Sequence, residues 1–234
     1  CTSVSQQGIS DSVPAEWRVS SRQEDIEMAR SVRDELLKKA TLLPNPGSLP
    51  DTLDLEEPMV KTAPLMDLLA NAICSGDYVA GDDCSWYHGV WQYLRMFDLV
   101  STPTWHPNFY MPQLSLVAKD YRNPKILVSG TADYSVLAHI LWAFDACNAP
   151  FSVTVLDLCQ TPLILCQWYS KKTNHVITTV KADILTYDFG HQFDVIVTDA
   201  FLTRFAPEER IDVIQRWYSI LNPKGRVLTT VRLS

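Results

Sequence analysis

The chain has 234 residues, 47% of them hydrophobic and 20% charged, with a formal net charge of −7. That acidic balance argues against nucleic acid as the main partner, because phosphate binding needs a basic face. No apolar run approaches the roughly 20 residues that cross a bilayer, so no membrane partner is expected, and Cys1-Thr-Ser-Val-Ser-Gln-Gln-Gly8 lacks an apolar signal core.

The length suits one sizeable α/β domain with an accessory segment. Cysteines stand at positions 1, 74, 84, 147, 159 and 166. None forms a C-x-x-C pair, and the histidines do not group with them. This spacing sets a zinc site aside, and no metal is expected. Cys147, Cys159 and Cys166 read as small buried hydrophobes. The chain reads as reduced and cytoplasmic.

In chain order, residues 1–21 are polar and irregular. Ser21-Arg-Gln-Glu24 has the form of a capping box and predicts a helix to about Lys39. Leu43-Pro-Asn-Pro-Gly-Ser-Leu-Pro50 breaks it, and an acidic loop follows over 51–60. Apolar periodicity predicts a second helix from about Ala63 to Cys74 and a third from about Ser85 to Val100. The third is unusually aromatic over Trp86–Phe97. Ser101–Pro112, with three prolines and several aromatics, reads as an ordered loop, and Leu114–Tyr121 as one or two helical turns.

From Pro124 the pattern changes to strand and helix in alternation. Strands are predicted at Lys125–Ser129, Ser152–Leu158, His175–Lys181, Phe193–Thr198 and Arg226–Val231. Helices are predicted at about 134–147, 161–171 and 207–220. The expected fold is α/β: a Rossmann-like, mainly parallel sheet with helices on both faces, preceded by an all-helical N-terminal region. The division falls between residues 1–121, a helical cap, and 122–234. Ile126-Leu-Val128 turns at Ser129-Gly-Thr131 into a helical run, and a tight strand-to-helix turn on small residues is a device for holding a ligand.

The second half resembles a class I S-adenosylmethionine-dependent methyltransferase. Ile126–Tyr134 stands where that family has a strand and G-x-G-x-G, and Val153-Thr-Val-Leu-Asp157 where the second strand ends in an acid. Lys181-Ala-Asp-Ile184 looks like the third-strand acid, Phe193-Asp-Val-Ile-Val-Thr-Asp199 like F-D-x-I, and Leu221-Asn-Pro-Lys-Gly225 like L-x-P-G-G. Departures are equally specific. Val128 replaces the acid of the first strand, and of three glycines only Gly130 remains, with Ala132 and Tyr134 at the other places. The sequence ends just after the fifth strand, where the family adds a helix and two antiparallel strands. Either the sequence is a fragment, or the sheet is shortened and the N-terminal half or a partner chain, as in a homodimer, would cover its edge.

The resemblance implies S-adenosyl-L-methionine as cofactor and a small-molecule acceptor. Ser129, Gly130, Thr131 and Ala132 would line the turn at the cofactor's amino-acid end. Asp157, with Leu158, would take the ribose hydroxyls; its plainer reading is a helix cap. Asp183 and Ile184 would hold the adenine. Thr198 and Asp199 would face the reactive centre, Asp199 holding the cofactor ammonium or orienting a substrate. His88 is a candidate general base, as is His106. Tyr87, Trp91, Tyr93, His106 and Tyr134 would contribute to an aromatic acceptor lid, the plainer reading being core packing. Arg204 would meet an acidic substrate group or stand as a surface charge. His139 and His175 read as structural. Two other readings are open: an aminopropyltransferase-like or other enzyme of this fold, and a non-catalytic partner subunit.

Overall fold

Residues 59–74, 84–97 and 99–231 are described by the computed structural model; the helix expected from Ser21 and the breaker at 43–50 lie outside them. Among the described residues, three helices precede the first strand: α1 (Met59–Ile73), α2 (Ser85–Met96) and α3 (Pro107–Asp120), with a short 3-10 turn at Pro103–Trp105. α2 ends earlier than expected. The Leu99 amide donates to the Leu94 carbonyl at 2.8 Å, which closes a wide turn and ends the helix. The expected loop over 101–112 is instead mostly helix. Proline suits a first helical turn, because the amide it lacks has no partner there, and α3 begins at Pro107. Pro112 lies only in its second turn and interrupts it without ending it.

Five strands follow: β1 (Lys125–Ser129), β2 (Ser152–Asp157), β3 (Thr178–Lys181), β4 (Phe193–Asp199) and β5 (Leu221–Thr230). They pair in the order β3-β2-β1-β4-β5, all parallel. Strand side chains alternate between faces, and both faces here are apolar. Ile126, Val128, Val153, Val155, Val195 and Val197 pack with α3, α4 (Ser135–Ala146) and α5 (Gln160–Lys172). Leu127, Leu156 and Ile196 pack with α6 (Glu209–Ile220) on the other face. A strand buried on both faces reads as a continuous apolar run, which is why β1 is legible in the sequence. The Rossmann-like α/β architecture expected is the one observed. The order reverses between β1 and β4, where ligands bind in open α/β sheets.

Two strand starts differ. β3 starts at Thr178, because His175 belongs to the turn after α5: its amide donates to the Ser170 carbonyl at 2.8 Å and its Nε2 meets Asp145 at 3.0 Å. β5 starts at Leu221, with a register shift against β4 between Phe193 and Val195. Asp194 holds the irregular part, its carboxylate accepting from Asn222 Nδ2 and the Lys125 amide, both at 2.8 Å. The change from helices to alternating strands and helices falls between Asp120 and Lys125, and the described elements on both sides of it belong to one compact unit.

The helical layer is tied to the β1 turn by one buried carboxylate. Asp133 accepts from the Trp91 indole N–H at 2.5 Å and the Ser135 amide at 2.5 Å, and pairs with the Arg95 guanidinium at 3.1 Å. Arg95 and Asp133 side chains are 1% and 4% exposed. Removing one partner of such a pair leaves an uncompensated charge, so Asp133→Ala is expected to cost about 3–5 kcal/mol in urea unfolding. A loss under about 1 kcal/mol would show that water already screens the pair.

His139 on α4 is buried, and its Nδ1–H donates to the Ser135 carbonyl at 2.8 Å. Burial holds the imidazole below its ordinary value of 6.5; the Ser135 bond opposes this, Arg95 reinforces it, and Asp199 and Asp133 oppose it. The unfolded chain therefore takes up a proton that the folded chain refuses. This contribution is complete above about pH 6.5 and is lost as pH falls from there to the folded value. Thermal melts at about pH 7.5 and 5.5 should show a smaller acid loss for His139→Gln than for wild type. Equal losses would place the acid sensitivity elsewhere.

Candidate functional site

The carboxyl edge of the sheet gathers the residues of interest. β1 ends at Ser129 and the chain turns at Gly130 with φ +74°, a conformation open to glycine and strained for other residues. A Cβ there would lie 2.1 Å from Cε2 of Phe201, whose ring packs against the turn. The Gly130 amide donates to the Leu156 carbonyl at 2.8 Å, which joins the turn to β2.

Asp157 ends β2 beside that turn. Its Oδ2 accepts the Thr131 amide at 2.9 Å and its Oδ1 the Cys159 amide at 2.7 Å. A carboxylate offers about four acceptor positions, and these bonds occupy two. Burial pushes the carboxyl up to about 6, opposed by the two amides and by the charge of His88. Leu158 next to it is 50% exposed and offers apolar surface at the strand end.

Asp199 ends β4. Its Oδ1 accepts from the Tyr110 hydroxyl at 2.9 Å and from Thr230 Oγ1, and Tyr110 also meets the Thr198 carbonyl at 2.9 Å. Burial, then the charge of Asp199, pushes the Tyr110 hydroxyl up, so it stays a donor. Asp199 opens onto a cleft of about 590 Å³ lined also by Ser101, His106, Ala200, Thr230 and Val231, a volume within the range of small-molecule sites. His106 Nε2 is 3.2 Å from Ser101 Oγ.

Asp157, Gly130 and Thr131 thus come together at one part of the edge, and Asp199 and His106 at another. Several expected residues face elsewhere. Ser129 Oγ accepts the Trp217 indole N–H at 2.9 Å on the α6 face, so its side chain does not line the turn. Ala132 is half-buried in the turn, while Ile184 packs in the α6 core. Asp183 accepts the Leu185 amide at 2.9 Å, which is the geometry of a turn cap. Thr198 is fully buried, and its Oγ1 has no hydrogen-bond partner among the described residues.

The aromatic segment divides. Tyr87 lies 5.1 Å from the Trp91 ring and 5.2 Å from the Arg204 guanidinium, which joins three of the expected acceptor residues. The Trp91 indole N–H is committed to Asp133. Tyr93 is 2% exposed and packs in the interior. Tyr134 is fully buried, stacked on Tyr169 at 4.4 Å, with Arg95 over its ring at 5.4 Å. A bulky residue at the third glycine place is tolerated because it points into the core.

His88 is not among the residues that line the cleft. It is 5% exposed, with Nδ1 3.4 Å from Cys74 Sγ, in a cluster with Cys84 and Cys159. The expectation from spacing, that histidine and cysteine do not group, is corrected here. The four residues come from the end of α1, the start of α2 and the start of α5. The local signal was Cys84 and His88, four residues apart and therefore on one helix face. Tyr110, Arg95 and Asp133 were also missed. Nothing in a lone tyrosine within a proline-rich segment marks it as the partner of an acid 89 residues later.

The strand order, parallel pairing and switch point define a Rossmann-like α/β protein. The resemblance to class I S-adenosylmethionine-dependent methyltransferases read in the sequence stands at the level of that fold. No protein-family model and no curated protein matches the chain. Among solved structures it is similar to TehB from Haemophilus influenzae, with 21% identity over 50% of this chain and 39% of that one, TM-score 0.39. It is similar to N-methyltransferase NodS from Bradyrhizobium japonicum WM9, with 20% identity over 51% and 62%, TM-score 0.40. A third is an S-adenosylmethionine-dependent methyltransferase from Clostridium acetobutylicum ATCC 824, with 9% identity over 59% and 54%, TM-score 0.46. The match spans less than two thirds of each of these structures. No helix among the described residues is long and apolar enough to cross a membrane.

Proposed function

We propose that the chain is an S-adenosylmethionine-dependent methyltransferase acting on a small-molecule acceptor. The observation that carries this reading is Asp157, held by two backbone amides beside the Gly130 turn at the carboxyl edge of the sheet. Its remaining acceptor positions suit the paired hydroxyls of a ribose, and exposed Leu158 suits the flat face of an adenine. These residues fit the adenosyl end of the cofactor, which supplies an electrophilic sulfonium methyl when bound.

The chain's own residues then position and desolvate the acceptor, since displacement on a sulfonium methyl asks chiefly for alignment. Asp199, braced by Tyr110 and Thr230, turns toward the cleft and orients an amine or hydroxyl, or holds the cofactor ammonium in place of the acid absent at Val128. His106 is the imidazole that lines the same cleft and is placed to accept a proton from the acceptor. The helical region before β1 serves as the cap over this edge, with Tyr87 and Arg204 at its rim.

One observation favours a second reading, a non-catalytic partner subunit: the Phe201 ring lies against the Gly130 turn that the cofactor would approach. Calorimetric titration with S-adenosylhomocysteine separates the two. Saturable one-to-one binding is expected, and Asp157→Ala should weaken it by at least about tenfold, because each charge-assisted bond lost is worth about 1.5–3 kcal/mol. Binding unchanged in Asp157→Ala would remove the ribose assignment. Absence of binding to the wild-type chain would favour the partner subunit.

A further inference from the structure

Cys74, Cys84, His88 and Cys159 each contribute a ligand atom to one cluster, in which these atoms all lie within 4.8 Å of one another. Cys74 follows α1, Cys84 precedes α2, His88 lies one turn into α2, and Cys159 precedes α5. Three separate segments thus bring three thiols and one imidazole together in the interior. Cys74, His88 and Cys159 are 1%, 5% and 4% exposed, and Cys84 is half-buried.

Three of the distances between these atoms are close to the edges of a coordination tetrahedron. Zinc with Zn–S near about 2.3 Å and Zn–N near about 2.0–2.1 Å places sulfurs about 3.8 Å apart, and sulfur about 3.6 Å from nitrogen. Here Cys84 Sγ is 3.8 Å and Cys74 Sγ 3.5 Å from Cys159 Sγ, and Cys74 Sγ is 3.4 Å from His88 Nδ1. A disulfide would use two of these four groups and leave a third thiol and the imidazole without a role. Packing alone gives no reason for an imidazole to meet three sulfurs. Thr161 Oγ1, 3.0 Å from Cys74 Sγ, supplies a hydroxyl that can donate to a metal-bound thiolate.

We infer that Cys74, Cys84, His88 and Cys159 form a structural zinc site that clamps α1 and α2 to the start of α5. Four protein ligands close the coordination sphere, which is the arrangement of a structural rather than a catalytic zinc. The site also steadies Asp157, whose Oδ1 accepts the amide of the ligand Cys159 at 2.7 Å. The inference does not depend on methyl transfer, and its readout needs no activity.

The test uses the full chain, purified with reductant and without chelator, and elemental analysis. About one zinc per chain is expected. Cys84→Ala and Cys159→Ala should each fall to a small fraction of that, while Cys84→His, which puts a nitrogen ligand in place of the sulfur, and Cys147→Ala, which lies outside the cluster, should retain it. Chelator-stripped, reduced wild-type chain titrated with cobalt(II) should develop the ligand-field and thiolate charge-transfer absorption of a tetrahedral site. A reduced wild-type chain that carries no zinc and gives no such absorption would overturn the inference. Zinc content equal in Cys84→Ala, Cys159→Ala and Cys147→Ala would also overturn it.

Discussion

The Asp133 carboxylate is the interaction on which the geometry of this chain depends. It sits in the turn between β1 and α4, almost without solvent, and accepts from Trp91, Arg95 and the Ser135 amide. One partner belongs to the start of α4 and two belong to α2. The same charge therefore shapes the turn after β1 and docks the helical layer onto it. A buried ion pair is poor evidence for net stability, because desolvation offsets much of the attraction. Its consequence is positional: α2 cannot shift without leaving a charge stranded in the interior.

From that anchor the carboxyl edge divides into two places with different electrostatics. Asp157 is saturated along its backbone-facing side and packed beside Gly130, the arrangement of a fixed acceptor for neutral hydroxyl donors. Asp199 is braced on one oxygen by Tyr110 and Thr230 and open on the other to a cleft that also holds His106. Two acid-bearing places on one sheet edge follow from the strand order. β1 neighbours both β2 and β4, so the acids that end those strands flank the same turn.

The sheet was legible because parallel strands buried on both faces must be apolar throughout, and Ile126-Leu-Val128 and Val195-Ile-Val197 are. α3 was misread because prolines signal a break unless they fall in a first turn, and Pro107 does. Asp157 and Asp199 could be placed at strand ends from the sequence because strand-end acids are local features. The sites for Tyr134 and His88 went astray because long-range packing decides where an aromatic or imidazole points. Tyr134 turned into the core to stack on Tyr169, and His88 turned to three sulfurs. The cysteine cluster escaped because ligand-spacing patterns recognise pairs close in sequence, whereas Cys159 comes from 75 residues beyond Cys84.

The measurement that bears most directly on this account is electron density from crystals of the chain grown with S-adenosylhomocysteine. The ribose is expected on Asp157 beside the Gly130 turn, the adenine against Leu158, and the sulfur toward the cleft at Asp199. Density at saturating ligand that lies away from the β1–β2 edge, or none with the Phe201 ring still against Gly130, would contradict it.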